Sequence, residues 1–576
     1  MNLLENDLDG LDDGQVFDVV VLGAGGAGLS AALFAAIDGA SVLVVEKTGH
    51  VGGTTALSAA TTWVPGTRQG AAVNPEDTLE QAARYLDNAI GERSPRALRE
   101  AFLAHGREAV DRIEAHSELR YRAYAKHPDY ISELDGSTLC GRALEPLPFD
   151  GRRLGPLLRL LRPPIPEFTV LGGMMVDRND INHLLGMTRS WASLRHSARI
   201  LARHAMDRLR HPRGTRLVMG NALIGRLLYS LSRHAKVSLA LHSSVSAAGP
   251  EQDGLRSLSL QQNGQRRTVK VRGGVVLASG GFNRHEPWRQ ERLPGIPPDW
   301  CPAAPGHTGQ AQELAQGLGA CQAPPGLSPA FWAPVSLRRR ADGSQAVFPH
   351  FVMDRAKPGM ITVDQAGERF VNESTSYHLF ALAMQEAHRH RPAIPAYLVC
   401  DAQALRRYGL GMVRPGGGGL APFLADGYLV AGPTLEDLGR QLGLPAGALA
   451  RTVERFNRHA DAGVDPDFHR GETAYQHNIG DATAGGRNPN LGRLQEAPFY
   501  ALRLYPGDIG ASDGLRTDAQ ARLLDAGGQA LPGLYAVGND MSSIMGGVYT
   551  APGITIGPGL VFAYLAARDA CARARG

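Results

Sequence analysis

The chain has 576 residues, 43% of them hydrophobic and 20% charged, with a net charge of +4. That composition excludes a disordered or fibrous protein and leaves room for two domains, or for one large domain carrying an insertion. No apolar run reaches bilayer-spanning length. The five cysteines (Cys140, Cys301, Cys321, Cys400, Cys571) form no CxxC and have no histidine at ligand spacing, so neither a disulfide framework nor a metal site is expected.

The first stretch, MNLLENDLDGLDDGQ, is acidic and lacks the basic and apolar regions of a secretory signal, which makes the cytoplasm the expected compartment. Residues 17–47 then read FDVVVLGAGGAGLSAALFAAIDGASVLVVEK. DVVVLG fits a buried parallel strand, LSAALFAAIDGA an alanine-rich helix and SVLVVE a second strand. Gly23, Gly25 and Gly28 form GxGxxG between strand and helix, with Gly26 beside them. The first glycine permits a tight turn, the second the close approach of a pyrophosphate and the third the packing of helix on strand. Glu46 closes the second strand, eighteen residues after Gly28, where a carboxylate meets a ribose hydroxyl. The small-residue stretch that follows, KTGHVGGTTALSAATTWVPG, suits backbone wrapped around a large cofactor and supplies Lys47, Gly53, Thr54, Thr55 and Ser58 as candidate contacts.

Residues 152–216 stand apart. They hold thirteen arginines against four acids, an excess larger than the net charge of the whole chain. LLRLLRPPIP and ILARHAMDRLRHP mix apolar residues with arginine at helical spacing, a pattern that suits an anionic membrane surface, a solvated helical excursion or a dimer contact. No nucleic-acid motif accompanies the charge, and nucleic acid is not an expected partner. Further on, VRGGVVLASGGF (271–282) is a strand running into glycines, among them Gly280. Residues 338–507 read as an inserted cap, with strands in ITVDQAGERFVNE and two amphipathic helices in PTLEDLGRQLGLPAGALARTVERFNRHA. LPGLYAVGND (531–540) is a last strand followed by Asn539 and Asp540, polar groups placed for a ribityl chain. MGGVYTAPGITIGPG (545–559) lodges Tyr549 among glycines and leads through Gly553 and Ile554 into a helix. A nucleotide domain closed from both ends of the chain points to FAD rather than NAD. The expected fold is α/β: a discontinuous Rossmann-like FAD-binding domain (1–337 and 508–576) with an inserted α+β catalytic cap (338–507).

Seven segments carry a family resemblance: GAGGAGLSAAL, EKTGHVGGTTALSAATTWVPG, PDYISELDGSTLCGRALEPLPFDGRRLG, RFVNESTSYH, LYPGDIGASDGLRTD, LYAVGND and MGGVYTAPGITIGPG. Together they resemble the 3-ketosteroid Δ1-dehydrogenases, a branch of the fumarate reductase/succinate dehydrogenase flavoproteins. The resemblance implies that Tyr549 and the Gly553 N–H hold the C3 carbonyl of a 3-ketosteroid, that Tyr377 takes the C2 proton with Tyr130 as helper, and that hydride from C1 passes to flavin N5. An external electron acceptor of quinone or dye-like type is expected with it. The charge pattern of 152–216 adds the expectation of a cytoplasmic protein that can meet the inner face of the cell membrane. Two local departures stand out: YTAPG where the family more often has YPGPG, and Gln310 in HTGQA where relatives commonly carry an acid. Rival readings are a fumarate-type reductase, which needs arginine and histidine near the flavin that 541–559 does not offer, and a flavin-holding membrane module without turnover.

Overall fold

The computed structural model describes residues 1–5, 7–352 and 354–576. The strand Gln15–Leu22, the helix Gly26–Ile37 and the strand Val42–Val45 form the expected βαβ unit, paired in parallel from Val19–Val42 to Leu22–Val45. Val19, Val20, Val21, Val42, Leu43 and Val44 are all buried, as a strand covered on both faces requires. Burial of each such side chain contributes about 1.5–3 kcal/mol. The strand Gln265–Leu277 lies beside the first one, and Ala530–Ala536 lies beside that, both in parallel. Leu22, Leu277 and Ala536 therefore end side by side, and Gly23, the Ala278–Gly281 turn and Gly538–Asn539 leave the sheet at one edge. The acidic N-terminus contributes a strand that its composition conceals: Asn2–Leu4 pairs in parallel with Val237–Ala240 at the edge of this nine-stranded sheet.

The second sheet has six strands in antiparallel pairs, built around Ala330–Arg339 and Phe499–Ala511. Both strands run across the expected boundaries at 337/338 and 507/508, so this sheet spans residues 330–511. Only the first three residues of ITVDQAGERFVNE lie in a strand, Met360–Val363, after which the chain turns at Asp364 and touches back at a single bridge, Val363–Arg369. The Asp364 carboxylate accepts from the N–H groups of Ala366 and Glu368, which favours the turn over a second strand. The two amphipathic helices are present at Leu435–Leu442 and Ala448–Ala462. The helix Tyr377–His390 packs on the Ala330–Arg339 strand.

The last helix, Ile556–Arg575, begins three residues after Gly553 and lies on the Gly26–Ile37 helix, with the Phe34 and Tyr564 rings 5.1 Å apart. Residues 152–216 hold a 3-10 segment and the helices Arg178–Leu185 and Trp191–Arg208. Among the described residues no helix is long and apolar enough to cross a membrane.

Candidate active site

A cavity of about 400 Å³ runs from the glycine loop to a group of aromatic rings. At the nucleotide end three glycines divide their work as the motif predicts. Gly23 has φ +111°. A Cβ on Gly28 would fall 1.9 Å from the Gly23 carbonyl oxygen, whereas a Cβ on Gly25 would meet nothing within 4 Å. Gly25 thus borders open cavity at the N-terminus of the Gly26–Ile37 helix, whose cap has no side-chain acceptor. Unpaired N–H groups and the helix dipole make this an anion cradle, as a pyrophosphate requires. Glu46 lies on the same wall, and its carboxylate accepts from Ala24 N–H at 2.9 Å, Thr48 N–H at 2.8 Å and the Thr48 hydroxyl at 2.7 Å. It shapes the glycine loop as well as bordering the cavity.

Gly26, Lys47, Gly53, Thr54, Thr55, Ser58, Gly280 and Asn539 also border the cavity. Lys47 Nζ donates to Thr308 Oγ1 and to Gln310 Oε1, so the Gln310 departure faces a lysine. Three expected contacts lie elsewhere. Gly28 packs against Gly23, the role its spacing gave it. Asp540 is fully buried behind the wall, where its carboxylate accepts from the Ser279 N–H and hydroxyl and from Gly281 N–H. It holds the turn that carries Gly280 instead of offering itself to a ligand. Ile554 is buried in a small neighbouring space with Phe562 and Met541.

At the aromatic end the four residues implied by the resemblance come together from three distant segments. Tyr377 is the first residue of its helix, capped by the Ser376 hydroxyl. Tyr130 sits in a loop anchored by its neighbour Asp129, which accepts from Trp63 Nε1 at 2.9 Å and from Arg142 at 2.8 Å. Tyr130 N–H and the Tyr85 hydroxyl both donate to the Thr550 carbonyl, tying this loop to the one that carries Tyr549. The Tyr130 hydroxyl donates to the Tyr377 hydroxyl oxygen at 3.4 Å. Ring centroids are 5.0 Å apart for Tyr377–Tyr549, 5.5 Å for Tyr130–Tyr377 and 5.8 Å for Tyr130–Tyr549. Burial pushes the Tyr130 and Tyr377 phenols well above their usual range, and raises Tyr549 too, against hydrogen bonds to Tyr377 and Thr555.

Gly553 completes the group. Its φ is +90°, and a Cβ would lie 2.2 Å from the Thr61 carbonyl oxygen. Its carbonyl accepts from Trp63 N–H and Gly557 N–H, while its own N–H has no acceptor among the described residues. A free donor thus borders the cavity beside the Tyr549 ring.

Several wall residues were not read from the sequence. His307 fills the space behind Gly280, where an added Cβ would come within 2.5 Å of its Nε2, and burial lowers it to about 4. His127 is likewise lowered to about 4 by burial. Phe331, Phe351, Val352 and Ile509 give the aromatic end its apolar wall. The signal for His307 lay in HTGQA; the apolar residues had none beyond being apolar. His378 accepts from Trp332 N–H and donates to the Gly547 carbonyl, which fixes the Tyr549 loop to the second sheet.

Comparison with known proteins gives the family and the fold. The FAD binding domain family matches residues 18–556. The chain is 37% identical to the 3-oxosteroid 1-dehydrogenase of Mycolicibacterium smegmatis, over 97% of this chain and 98% of that one. It is 36% identical to the 4-oxocyclohex-2-ene-1-carboxylate 5-dehydrogenase of Sinomonas cyclohexanicum, over 96% and 93%. Its fold superimposes with a TM-score of 0.89 and 31% identity on a 3-ketosteroid delta1-dehydrogenase from Sterolibacterium denitrificans in complex with 1,4-androstadiene-3,17-dione, covering 97% of this chain and all of that one.

Proposed function

The chain belongs to the FAD-binding flavoproteins that include the 3-oxosteroid 1-dehydrogenases, and we propose that it introduces the Δ1 double bond into a 3-ketosteroid. The observation that carries this reading is the buried triangle of Tyr130, Tyr377 and Tyr549 beside the free Gly553 N–H. The Tyr549 hydroxyl and the Gly553 N–H donate to the C3 carbonyl oxygen, where enolate charge develops as C2 loses its proton. One such donor is typically worth about 3 kcal/mol at the transition state. Tyr377 takes the proton as a phenolate, and the Tyr130 hydroxyl, which donates to its oxygen, supports that charge. FAD, when bound, supplies the acceptor for the hydride from C1. An external acceptor, of quinone or dye-like type, then reoxidises the flavin.

Substrate class follows from the wall. Among the described residues its lysine and arginine side chains are Lys47 and Arg162. Lys47 bonds to Thr308 and Gln310, and Arg162 to the Thr48 hydroxyl, which itself donates to Glu46, so both sit toward the nucleotide end. The aromatic end offers phenols, phenylalanines and neutral His127, which suits a large apolar ketone and leaves a dicarboxylate or a cyclohexanone carboxylate without a counter-charge. The test is anaerobic flavin bleaching with a 3-ketosteroid, a 4-oxocyclohexanecarboxylate and, in reverse with a reduced dye, fumarate. Rapid bleaching by the steroid alone is expected. Bleaching by the carboxylate in preference, or by none, overturns the assignment.

An anionic membrane surface is the partner we infer for the basic insert. Arg152, Arg153, Arg159, Arg203 and Arg216 are ion-paired within the fold. Arg178, Arg189, Arg195, Arg199, Arg208 and Arg210 are exposed and make no ion pair among the described residues. Leu171, Leu185, Leu194 and Met206 are exposed among them, and Trp191 and Leu209 are each 84% exposed. Exposed tryptophan and leucine interleaved with unpaired arginine match an interfacial helix on anionic lipid. Co-sedimentation with anionic but not neutral vesicles, weakened by salt and by R195Q/R199Q/R208Q, is expected; binding that ignores lipid charge, or a stable dimer through this face, overturns it.

A further inference from the structure

We propose that Arg355 is a positioning residue for the proton-transfer step: a buried cation that locks the chain leading to Tyr377 and favours negative charge on the tyrosine group. This inference rests on Tyr377 being the base.

Three arginines are fully buried: Arg142, Arg355 and Arg470. Arg142 pairs with Asp77 and Asp129, and Arg470 with Glu373. Arg355 makes no ion pair among the described residues. All its side-chain hydrogen bonds of defined geometry go to backbone carbonyls: Nε to His350 at 3.1 Å, Nη1 to Glu373 and Thr375 at 2.6 Å each, and Nη2 to Phe351 at 2.9 Å. These bonds join two pieces of the site. Phe351 borders the cavity with its ring 4.8 Å from that of Tyr377, and Thr375 precedes Tyr377 by two residues. The Tyr475 phenol, on which the cation also acts, is buried with its ring 4.8 Å from that of Tyr130.

A buried charge left without a counter-ion is strongly unfavourable, so its retention calls for a compensating use. Positive charge already in place beside phenols supplies one, because it is most favourable when a proton leaves them. Its field opposes burial at both Tyr475, held at about 12, and Tyr130. Apart from Lys357, the other charged groups around the tyrosines are already matched or neutral. Asp129 is bound to Arg142, and Asp354 to His350. Glu373 is bound to Arg369 and Arg470. His127 and His378 are each lowered to about 4 by burial. Lys357, lowered to about 8, donates to the Ile479 and Gly480 carbonyls beyond Tyr475. Arg355 is a cation without a counter-ion among the described residues, and its charge acts on Tyr475 and Tyr130.

The experiment follows C2–deuterium exchange and flavin reduction against pH in the FAD-loaded enzyme for wild type, R355K, R355M and Y475F. Loss of the cation raises the phenol, so in R355M the midpoint of the rising limb should move up by about one pH unit or more, with about tenfold slower exchange at neutral pH. Steroid affinity should change less than threefold, about 0.7 kcal/mol. R355K, which keeps the charge, should hold a midpoint near wild type, and Y475F should shift it upward by less than R355M does. A uniform loss of rate at every pH with an unmoved midpoint in R355M overturns the proposal. If R355M does not fold, R355K and Y475F decide it: a Y475F profile superimposed on wild type, or an R355K midpoint displaced upward by a full unit, overturns it. Failure of wild type to exchange C2 hydrogen at all would reject the functional reading instead.

Discussion

The nucleotide end and the aromatic end of one cavity are built on opposite principles. At the nucleotide end the chemistry is done by backbone, and the residues are glycines because anything larger would occupy the ligand's place or the loop's own. A single added carbon at Gly28 would fall 1.9 Å from a carbonyl oxygen. At the aromatic end the wall is made of side chains held by their neighbours, and removing one oxygen leaves the packing nearly intact. One end should break by addition and the other by subtraction.

Addition has the larger effect. Gly28→Ala pushes a methyl into the Gly23 carbonyl and separates helix from strand, so the purified chain should lack the flavin absorbance band and unfold at a clearly lower temperature. Flavin content and melting temperature check this together. A variant that stays yellow with unchanged melting would mean that the turn relaxes freely, and the division of labour among the glycines would have to be redrawn.

Subtraction comes next. Tyr377→Phe removes the oxygen proposed to take the C2 proton while keeping the ring, which packs against Phe351 and Tyr549. Exchange at C2 and flavin reduction should fall together, by about 10²–10⁴, with steroid affinity and melting temperature nearly unchanged. Normal C2 exchange in this variant would move the base elsewhere, to Tyr130 first. Tyr549→Phe should fail differently. In the proposed mechanism its hydroxyl contacts the ketone before and during the reaction, so reduction should slow by about 10²–10³ and steroid binding should weaken by about 1 kcal/mol. Stopped-flow reduction at varied steroid concentration separates the two effects.

The same contrast explains what could be read in the chain beforehand. The βαβ unit is contiguous, and its strand, glycines, helix and acid constrain one another over thirty residues, so the Gly23 turn and Glu46 were legible. Tyr130, Tyr377 and Tyr549 lie in separate segments with no local pattern of their own, and only the family resemblance singled them out from 15 tyrosines. Asp540 shows the limit of the local signal: an acid just past a strand can bind a ligand or cap its own loop, and both uses need the same residue in the same place. The edges of the second sheet were displaced for another reason. Ala330–Val335 is buried on both faces, and a strand without alternation carries no period to mark where it begins. Arg355 was invisible because its partners are backbone carbonyls, which no side-chain pattern announces.

Glu46 gives the smallest effect and the finest test, because it is a side chain on which the backbone-built end depends. Its carboxylate accepts from Ala24 N–H with one oxygen and from the Thr48 N–H and hydroxyl with the other. Glu46→Gln keeps the shape but turns one acceptor into a donor. Either the Ala24 N–H or the Thr48 pair must lose its partner, and an orphaned buried donor costs about 1–3 kcal/mol. Part of that cost falls on the loop that cradles the cofactor, so FAD should bind about tenfold more weakly, equivalent to about 1.4 kcal/mol. Flavin reduction per bound FAD should be unchanged, because Glu46 is remote from the tyrosines. Equilibrium dialysis against free FAD measures the first quantity and stopped-flow reduction of the FAD-saturated variant the second. If FAD were retained as tightly as in wild type, the Ala24 and Thr48 contacts would be dispensable and no ribose contact would run through this carboxylate. If reduction per flavin fell as well, the two ends of the cavity would be coupled, and the separation between a backbone site and a side-chain site would fail.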